Sequence, residues 1–252
     1  GDDQFIRSQV LQENDDDDAF GVAIAVDGTT LAIGATRAID RDPNVVGRDD
    51  DNGLVYMYEK DAEGLWARTQ TLVADAGPGI APGRREQRFG ASVALRGEAL
   101  VVGAPEYGVV EAQRFVDYGR AYLFQRTVGV WQQVHSLAGS HVRDRFGQSA
   151  AFIGDRVFVG APTENRPSST VHLLEITDAP ALRRVGQLHP EEDQANLHFG
   201  ASIATDGRQF VVGGPIASGG EAQFGVLLPP GPVCTDDGAC VCIAGAGPLC
   251  DE

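Results

Sequence analysis

A four-fold internal register constrains this chain more than any other feature. Phe-Gly pairs stand at Phe20-Gly21, Phe89-Gly90, Phe146-Gly147 and Phe199-Gly200. Eight residues after each Phe comes a second glycine, at Gly28, Gly97, Gly154 and Gly207. Fourteen residues after it comes a third, at Gly34, Gly103, Gly160 and Gly213. A small residue and a proline follow in three copies (Gly103-Ala104-Pro105, Gly160-Ala161-Pro162, Gly213-Gly214-Pro215), while the first reads Gly34-Ala35-Thr36. Self-similarity of this kind marks an array in which each unit buries its apolar face only against its neighbours.

Each unit reads as strands. A short β run follows the Phe-Gly pair, as in Ala91-Ser92-Val93-Ala94-Leu95. The second glycine then sits in a tight turn, where it supplies the positive φ that a short hairpin needs. A second run follows: Leu31-Ala32-Ile33, Leu100-Val101-Val102, Val157-Phe158-Val159 and Phe210-Val211-Val212. The third is expected at Val55–Tyr58, Ala121–Phe124, Val171–Leu174 and, in the last unit, Gly225–Leu228. A fourth spans Trp66–Leu72, Trp131–Leu137 and Leu182–Leu188, with large apolar residues six apart and so on one face of a strand.

After Leu228, Pro229-Pro230-Gly231-Pro232 ends the last unit without a fourth strand. Phe5 to Leu11 repeats the six-residue spacing, and Leu11 stands nine residues before Phe20, as Leu137 stands before Phe146. The expectation is therefore an all-β chain. Residues 1–231 form a four-bladed β-propeller of four-stranded antiparallel blades, and the N-terminal strand 5–11 completes the last blade and closes the ring. The alternative is a segment of a larger propeller.

The units resemble FG-GAP repeats, the blades of the integrin α-subunit head, and especially the short bacterial variety. Phe89-Gly90-Ala91-Ser92, Val101-Val102-Gly103-Ala104-Pro105, Gly119-Arg120-Ala121-Tyr122-Leu123-Phe124 and Trp131 carry the likeness, which covers about residues 5–228. It implies an extracellular recognition or adhesion module, with a minority of relatives attached to enzymes. The family's Asp-rich calcium loop lies between the first two strands of a blade, and here that connection is a tight turn in every copy. The resemblance therefore brings no calcium site with it.

A different acidic stretch could hold calcium, which takes six to eight oxygen ligands. Asp40, Asp42 and Asn44 alternate along the chain, and Asp49, Asp50 and Asp51 follow. The glycine position of an EF-hand-like loop is occupied by Val45, and the competing reading is a solvated acidic loop. No cofactor is required by any other motif.

Connections between second and third strands, and between one unit and the next, emerge at one end of such sheets. The long ones run from Ala74 to Gln87 and from Glu106 to Tyr118. Variable loops on a rigid repeat scaffold are the usual seat of binding specificity. Tyr107, Phe115, Tyr118, Arg84 and Arg85 are the candidate ligand-binding residues. Ser92, Ser149 and Ser202 recur at one repeat position and so read as packing residues, since a nucleophile would be singular. No nucleophile-elbow, phosphate-loop or zinc-protease motif occurs, so no catalytic residue is assigned. Enzyme status is left open, with the weight on a non-enzyme.

All four cysteines lie in the tail 232–252: Cys234, Cys240, Cys242 and Cys250. Their even number in a short Gly/Pro-rich segment reads as two disulfides of open connectivity, formed in an oxidising compartment. A secreted or cell-surface location follows. The formal net charge of −16 disfavours a nucleic-acid partner, and no apolar run is long enough for a membrane-spanning helix. The first residues, Gly1-Asp2-Asp3-Gln4, lack the basic and apolar regions of a secretory signal.

The resulting functional expectation is a recognition or adhesion module that binds a protein or glycan through loops on one face. Its alternatives are a carbohydrate-active enzyme using carboxylates on that face, and a structural spacer or assembly unit.

Overall fold

Each of the four repeats folds into its own antiparallel sheet. The computed structural model describes residues 9–13, 18–38, 52–75, 87–111, 114–162, 169–189, 198–207, 209–216, 219–226, 233–234 and 240–241. Sheet one is β1 (Phe20–Asp27), β2 (Thr30–Ala35), β3 (Leu54–Lys60) and β4 (Trp66–Leu72), in that order. Sheet two begins with β5 (Ser92–Arg96) and β6 (Ala99–Ala104). A separate hairpin of β7 (Gly108–Glu111) and β8 (Arg114–Asp117) follows, and the sheet resumes with β9 (Arg120–Thr127) and β10 (Val130–Ala138). Sheet three is β11 (Ser149–Ile153), β12 (Arg156–Ala161), β13 (Thr170–Ile176) and β14 (Leu182–Leu188). Sheet four has three strands among the described residues: β15 (Ser202–Thr205), β16 (Gln209–Ile216) and β17 (Gly219–Val226). A two-residue pair, β18 (Val233–Cys234) and β19 (Cys240–Val241), lies in the tail. Among the described residues no helix is long and apolar enough to cross a membrane.

The turns form as their residues dictate. Asp27 pairs with Thr30, Arg96 with Ala99 and Ile153 with Arg156, which leaves two-residue loops opening on Gly28, Gly97 and Gly154 at positive φ. A glycine at the first central position is the requirement of the type II′ hairpin, whose twist matches that of the strands. In the last unit the third strand departs from expectation. β17 covers Gly219–Val226, and Val212 pairs with Gln223, as Ile33 pairs with Tyr56 and Val102 with Tyr122. The apolar run Gly225–Leu228 had suggested a later start, but a shorter connection after β16 sets the register. The connection from Glu106 to Tyr118, read as a loop, contains the β7–β8 hairpin.

The first strands stand side by side in sequence order: β1 beside β5, β5 beside β11, β11 beside β15. The sheets consequently pack face on face. Between sheets one and two, Ala23, Ala25, Ala32, Val55 and Met57 meet Val93, Leu95, Leu100, Val102 and Phe124. Between two and three, Ala94, Val101 and Leu123 meet Ala150, Phe152, Val157 and Val159. Between three and four, Ile153, Phe158 and Val171 meet Phe199, Ile203, Phe210 and Val212. Each fully buried side chain of this size contributes about 1.5–3 kcal/mol relative to exposure, so the stack is held mainly by these layers.

One polar device recurs in every layer. The carbonyl of Gly90 lies against Gly34, that of Gly147 against Gly103 and that of Gly200 against Gly160, so closely that any Cβ would overlap the oxygen. This close approach, rather than φ, requires the third glycine of the repeat. The approaching glycines Gly90, Gly147 and Gly200 sit at φ 88°, 96° and 89°, the left-handed region that favours glycine. Ser92 Oγ donates to Gly147 O at 2.8 Å and Ser149 Oγ to Gly200 O at 2.7 Å. The Phe of each pair presents an edge to the third strand: Phe20 to Tyr56, Phe89 to Tyr122 and Phe146 to His172, with centroids 5.7, 5.3 and 5.1 Å apart.

Residues 9–13 are extended, with Gln9, Leu11 and Glu13 turned inward and Val10 and Gln12 exposed. They lie along the face of sheet one that looks away from sheet two. Gln9 clamps the backbone of Trp66, accepting from its N–H at 2.8 Å and donating to its carbonyl at 2.9 Å. Gln70 treats Trp131 in the same way, at 2.9 and 2.7 Å, and His135 Nδ1 accepts from Leu182 N–H at 3.1 Å. Gln9, Gln70 and His135 each stand two residues before a Leu of the repeat, at Leu11, Leu72 and Leu137. The segment thus meets sheet one just as β4 meets sheet two and β10 meets sheet three.

Candidate recognition surface

Tight turns occupy one end of the sheets, and the long connections gather at the other. At the long end the repeat builds a turn before every Phe-Gly pair. Ala19, Arg88, Arg145 and His198 take left-handed φ values of 51°, 55°, 51° and 45°. Their carbonyls accept from the N–H three residues on, at Val22, Ala91, Gln148 and Ala201. Non-glycine residues in this region are costly and persist only where packing fixes them. The turns at Arg88, Arg145 and His198 each aim a glycine carbonyl at the preceding sheet.

Between sheets two and three this end is the most elaborate. Tyr107 O accepts from both Tyr118 N and Gly119 N, at 3.0 and 2.9 Å, and so closes the base of the β7–β8 hairpin. Arg143, at φ 63° and outside the repeat pattern, donates its N–H to Asp117 O at 2.5 Å. Asp144 is buried and its Oδ2 accepts from Ser140 N and His141 N, at 3.0 and 2.6 Å. Arg88 pairs with Glu106 at 3.3 Å. The outcome is a rigid polar ridge on which Arg88, Glu106, Tyr118, His141 and Arg143 are exposed or half-exposed. It offers donors of positive charge beside a carboxylate and a phenol, a set suited to a polar ligand.

The candidate residues from sequence fall in different places. Tyr118 is half-exposed on this ridge. Phe115 belongs to β8, where its backbone pairs with Val110. Tyr107 is only 2% exposed, capped by the Arg120 guanidinium 4.0 Å above its ring, so it packs rather than offering a stacking surface. Arg84 and Arg85 lie outside the described residues, as do Asp40, Asp42, Asn44, Asp49 and Asp51. Cys234 and Cys240 are ladder partners across β18–β19, while Cys242 and Cys250 lie outside the described residues. No cluster of three or more metal-ligating side chains occurs among the described residues.

Two of the repeat serines and two of the imidazoles have structural partners. Ser92 and Ser149 serve the inter-sheet glycine carbonyls, and His135 receives Leu182 N–H. His172 is 3% exposed beneath Phe146, with Gln187 Nε2 3.3 Å from its Nδ1. Burial, reinforced by the charges of Arg184, His189 and His141, pushes its pKa down to about 4. The ring is therefore neutral in the fold at ordinary pH. Tyr58 donates to Glu13 Oε1 at 2.7 Å, and Arg68 pairs with Glu13 Oε2 at 2.6 Å. Burial first, and then Glu13, raise the Tyr58 pKa well above the usual phenol value.

Sequence reasoning missed the Gln9, Gln70 and His135 clamps. Their signal was present in the register, two residues before the last Leu of each fourth strand, but the residue type varies. No protein-family model matches the chain, and no curated protein matches it either.

Proposed function

We propose that the four sheets are blades of a propeller of the FG-GAP type, and that the molecule is an extracellular recognition module. Its ligand surface is the end where the β7–β8 hairpin meets the turns at Arg88 and Arg143. The observation that carries this reading is the asymmetry of the two ends, turns of two to five residues at one and long connections, one of them bearing a hairpin, at the other. Rigid repeats with one variable end are the architecture of binding scaffolds. The ligand is a protein or a glycan with polar, partly anionic groups.

The segment 9–13 stands in the place of a fourth strand for the blade that adjoins sheet one. In a monomeric ring that blade is sheet four, and the propeller closes on four blades once β15 meets β1. Calcium held by Asp40, Asp42, Asn44, Asp49 and Asp51 would tie down the connection between β2 and β3 at the same end. The tail fits an oxidising, secreted or cell-surface setting. Its four cysteines, Cys234, Cys240, Cys242 and Cys250, would form two disulfides there, of open connectivity.

The test is binding of the purified chain to printed arrays of glycans and of extracellular proteins, with Arg143→Glu as the variant. Binding lost in the variant with the fold intact supports the assignment of the surface. Binding unaffected by the substitution, or no binding to either array, overturns it.

A further inference from the structure

The layer that joins successive sheets is made three times within the chain, and a fourth copy of each half is left uncovered at the two ends of the series. At the front of sheet one, Val22, Ile24 and Val26 are 47%, 62% and 61% exposed. The repeat equivalents of Ile24 on the other sheets are buried or half-buried: Val93, four residues after Phe89 as Ile24 is after Phe20, is 8% exposed, and Ala150 and Ile203 are half-buried. Gly21 at φ 88° has the same backbone form as Gly90, Gly147 and Gly200, yet a Cβ on it would meet nothing within 4 Å. At the back of sheet four, Ser202 and Ala204 are exposed, where Ser92, Ser149, Ala94 and Ala151 are buried. Gly213 faces only its own Ser202, with no incoming glycine carbonyl. Among the described residues no contact like that of β1 with β5 joins β15 to β1.

These two faces are complementary in shape and chemistry. Large side chains on one front (Ile24, Val26) match small ones on the other back (Ser202, Ala204, Gly213). This is the pairing seen inside, where Val93 and Leu95 lie on Ala23, Ala25 and Ala32. The Phe20-Gly21 turn has the form that fills the Gly34, Gly103 and Gly160 positions, and the Gly213–Ser202 position has the form that receives it. The segment 9–13 supplies a fourth strand to whichever sheet covers Ile24, and sheet four has three among its described residues.

We propose that two copies of this chain dock head to tail, the front of sheet one in each covering the back of sheet four in the other. A head-to-tail contact forms a closed ring when its rotation permits and an open filament otherwise. Two copies of four sheets give eight, within the size range of closed propellers. Gly21 O of one copy then accepts from Ser202 Oγ of the other, repeating the Ser149–Gly200 bond. The inference rests on reading the sheets as propeller blades.

The test is the mass in solution of the full chain and of two variants, Ile24→Asp and Gly213→Val, by light scattering after size exclusion. Ile24 is exposed, and a side chain at Gly213 would meet only the Ser202 hydroxyl, which can rotate away; neither site has a backbone that the new residue would strain, so each variant folds. Wild type is expected at twice the 26.7 kDa chain mass and each variant alone at the chain mass. Mixing the two variants restores the double mass, because one of the two junctions in a mixed pair joins an intact front to an intact back. Double mass persisting in both variants, or no restoration on mixing, overturns the proposal. A single-chain mass for wild type also overturns it, and labelling of Ile24→Cys by a maleimide, read on the peptide that carries it, then separates two cases. A protected cysteine means that the ring closes on its own four blades, whereas a reactive one means that the blade reading itself fails.

Discussion

The hydroxyl of Ser149 lies 2.7 Å from the carbonyl oxygen of Gly200, donating a hydrogen bond from sheet three to the turn that opens sheet four. The same oxygen presses on Gly160 so closely that no side chain fits there. Gly160→Ala must therefore force the two sheets apart. Overpacking of this kind costs about 1–3 kcal/mol, which for a chain of this length lowers Tm by roughly 3–10 °C. Gly186→Ala, where the nearest atoms would be at ordinary contact distance, is the control and shifts stability by less than about 0.5 kcal/mol. Thermal unfolding of the two variants checks the pair.

Ser149→Ala removes the donor and leaves a buried carbonyl without its partner, at a cost of about 1–2 kcal/mol. The first unit carries Ala23 at this position and still seats the Gly90 carbonyl, so the fold survives the loss. Urea unfolding is expected to show a lower midpoint with an unchanged slope.

These contacts show what the sequence could and could not reveal. Phe-Gly spacing gave the number of sheets because the glycine after Phe needs positive φ and the glycine fourteen residues on needs empty space. Both are properties of one residue type. The six-residue apolar spacing located β4, β10 and β14 because a strand has period two. Tyr107 was misjudged for a physical reason: chain position placed it in a loop, and only the fold brings Arg120 over its ring. The β7–β8 hairpin lies outside the repeat register, so no repeated spacing pointed to it. Gln9 and Gln70 share a residue type, but His135 does the same job with a different side chain, so the position breaks the repeat in its third copy.

Acid is expected to weaken the fold through His172. The unfolded chain binds this proton near pH 6.5 and the folded chain only near pH 4, so unfolding takes up a proton between those values. Stability is full above about pH 6.5 and falls as pH drops toward 4, by on the order of 2–3 kcal/mol. His172→Tyr places at this position the residue that Tyr56 and Tyr122 occupy in the first two sheets. It should remove this component from the pH profile of Tm, and a profile identical to wild type would contradict the assignment.

Calcium is expected to stabilise the chain if Asp40, Asp42, Asn44, Asp49 and Asp51 form a site. At about a hundred times the dissociation constant, binding adds roughly 2.7 kcal/mol, or on the order of 5–10 °C in Tm. Unfolding in calcium and in EDTA measures it, and Asp40→Asn with Asp42→Asn should abolish the difference. Equal Tm values in the two conditions would mark the segment as a solvated acidic loop.

The account turns on one end of the molecule being the recognition surface, and the most direct measurement compares the two ends. Arg143→Glu alters the end with the long connections, and Arg96→Glu alters the end with the tight turns, beside Asp155. Affinity for the ligand identified on the arrays is then titrated for both variants and wild type. The account predicts a loss of tenfold or more, about 1.4 kcal/mol, for Arg143→Glu and little change for Arg96→Glu. Equal losses, or a loss confined to Arg96→Glu, would contradict it.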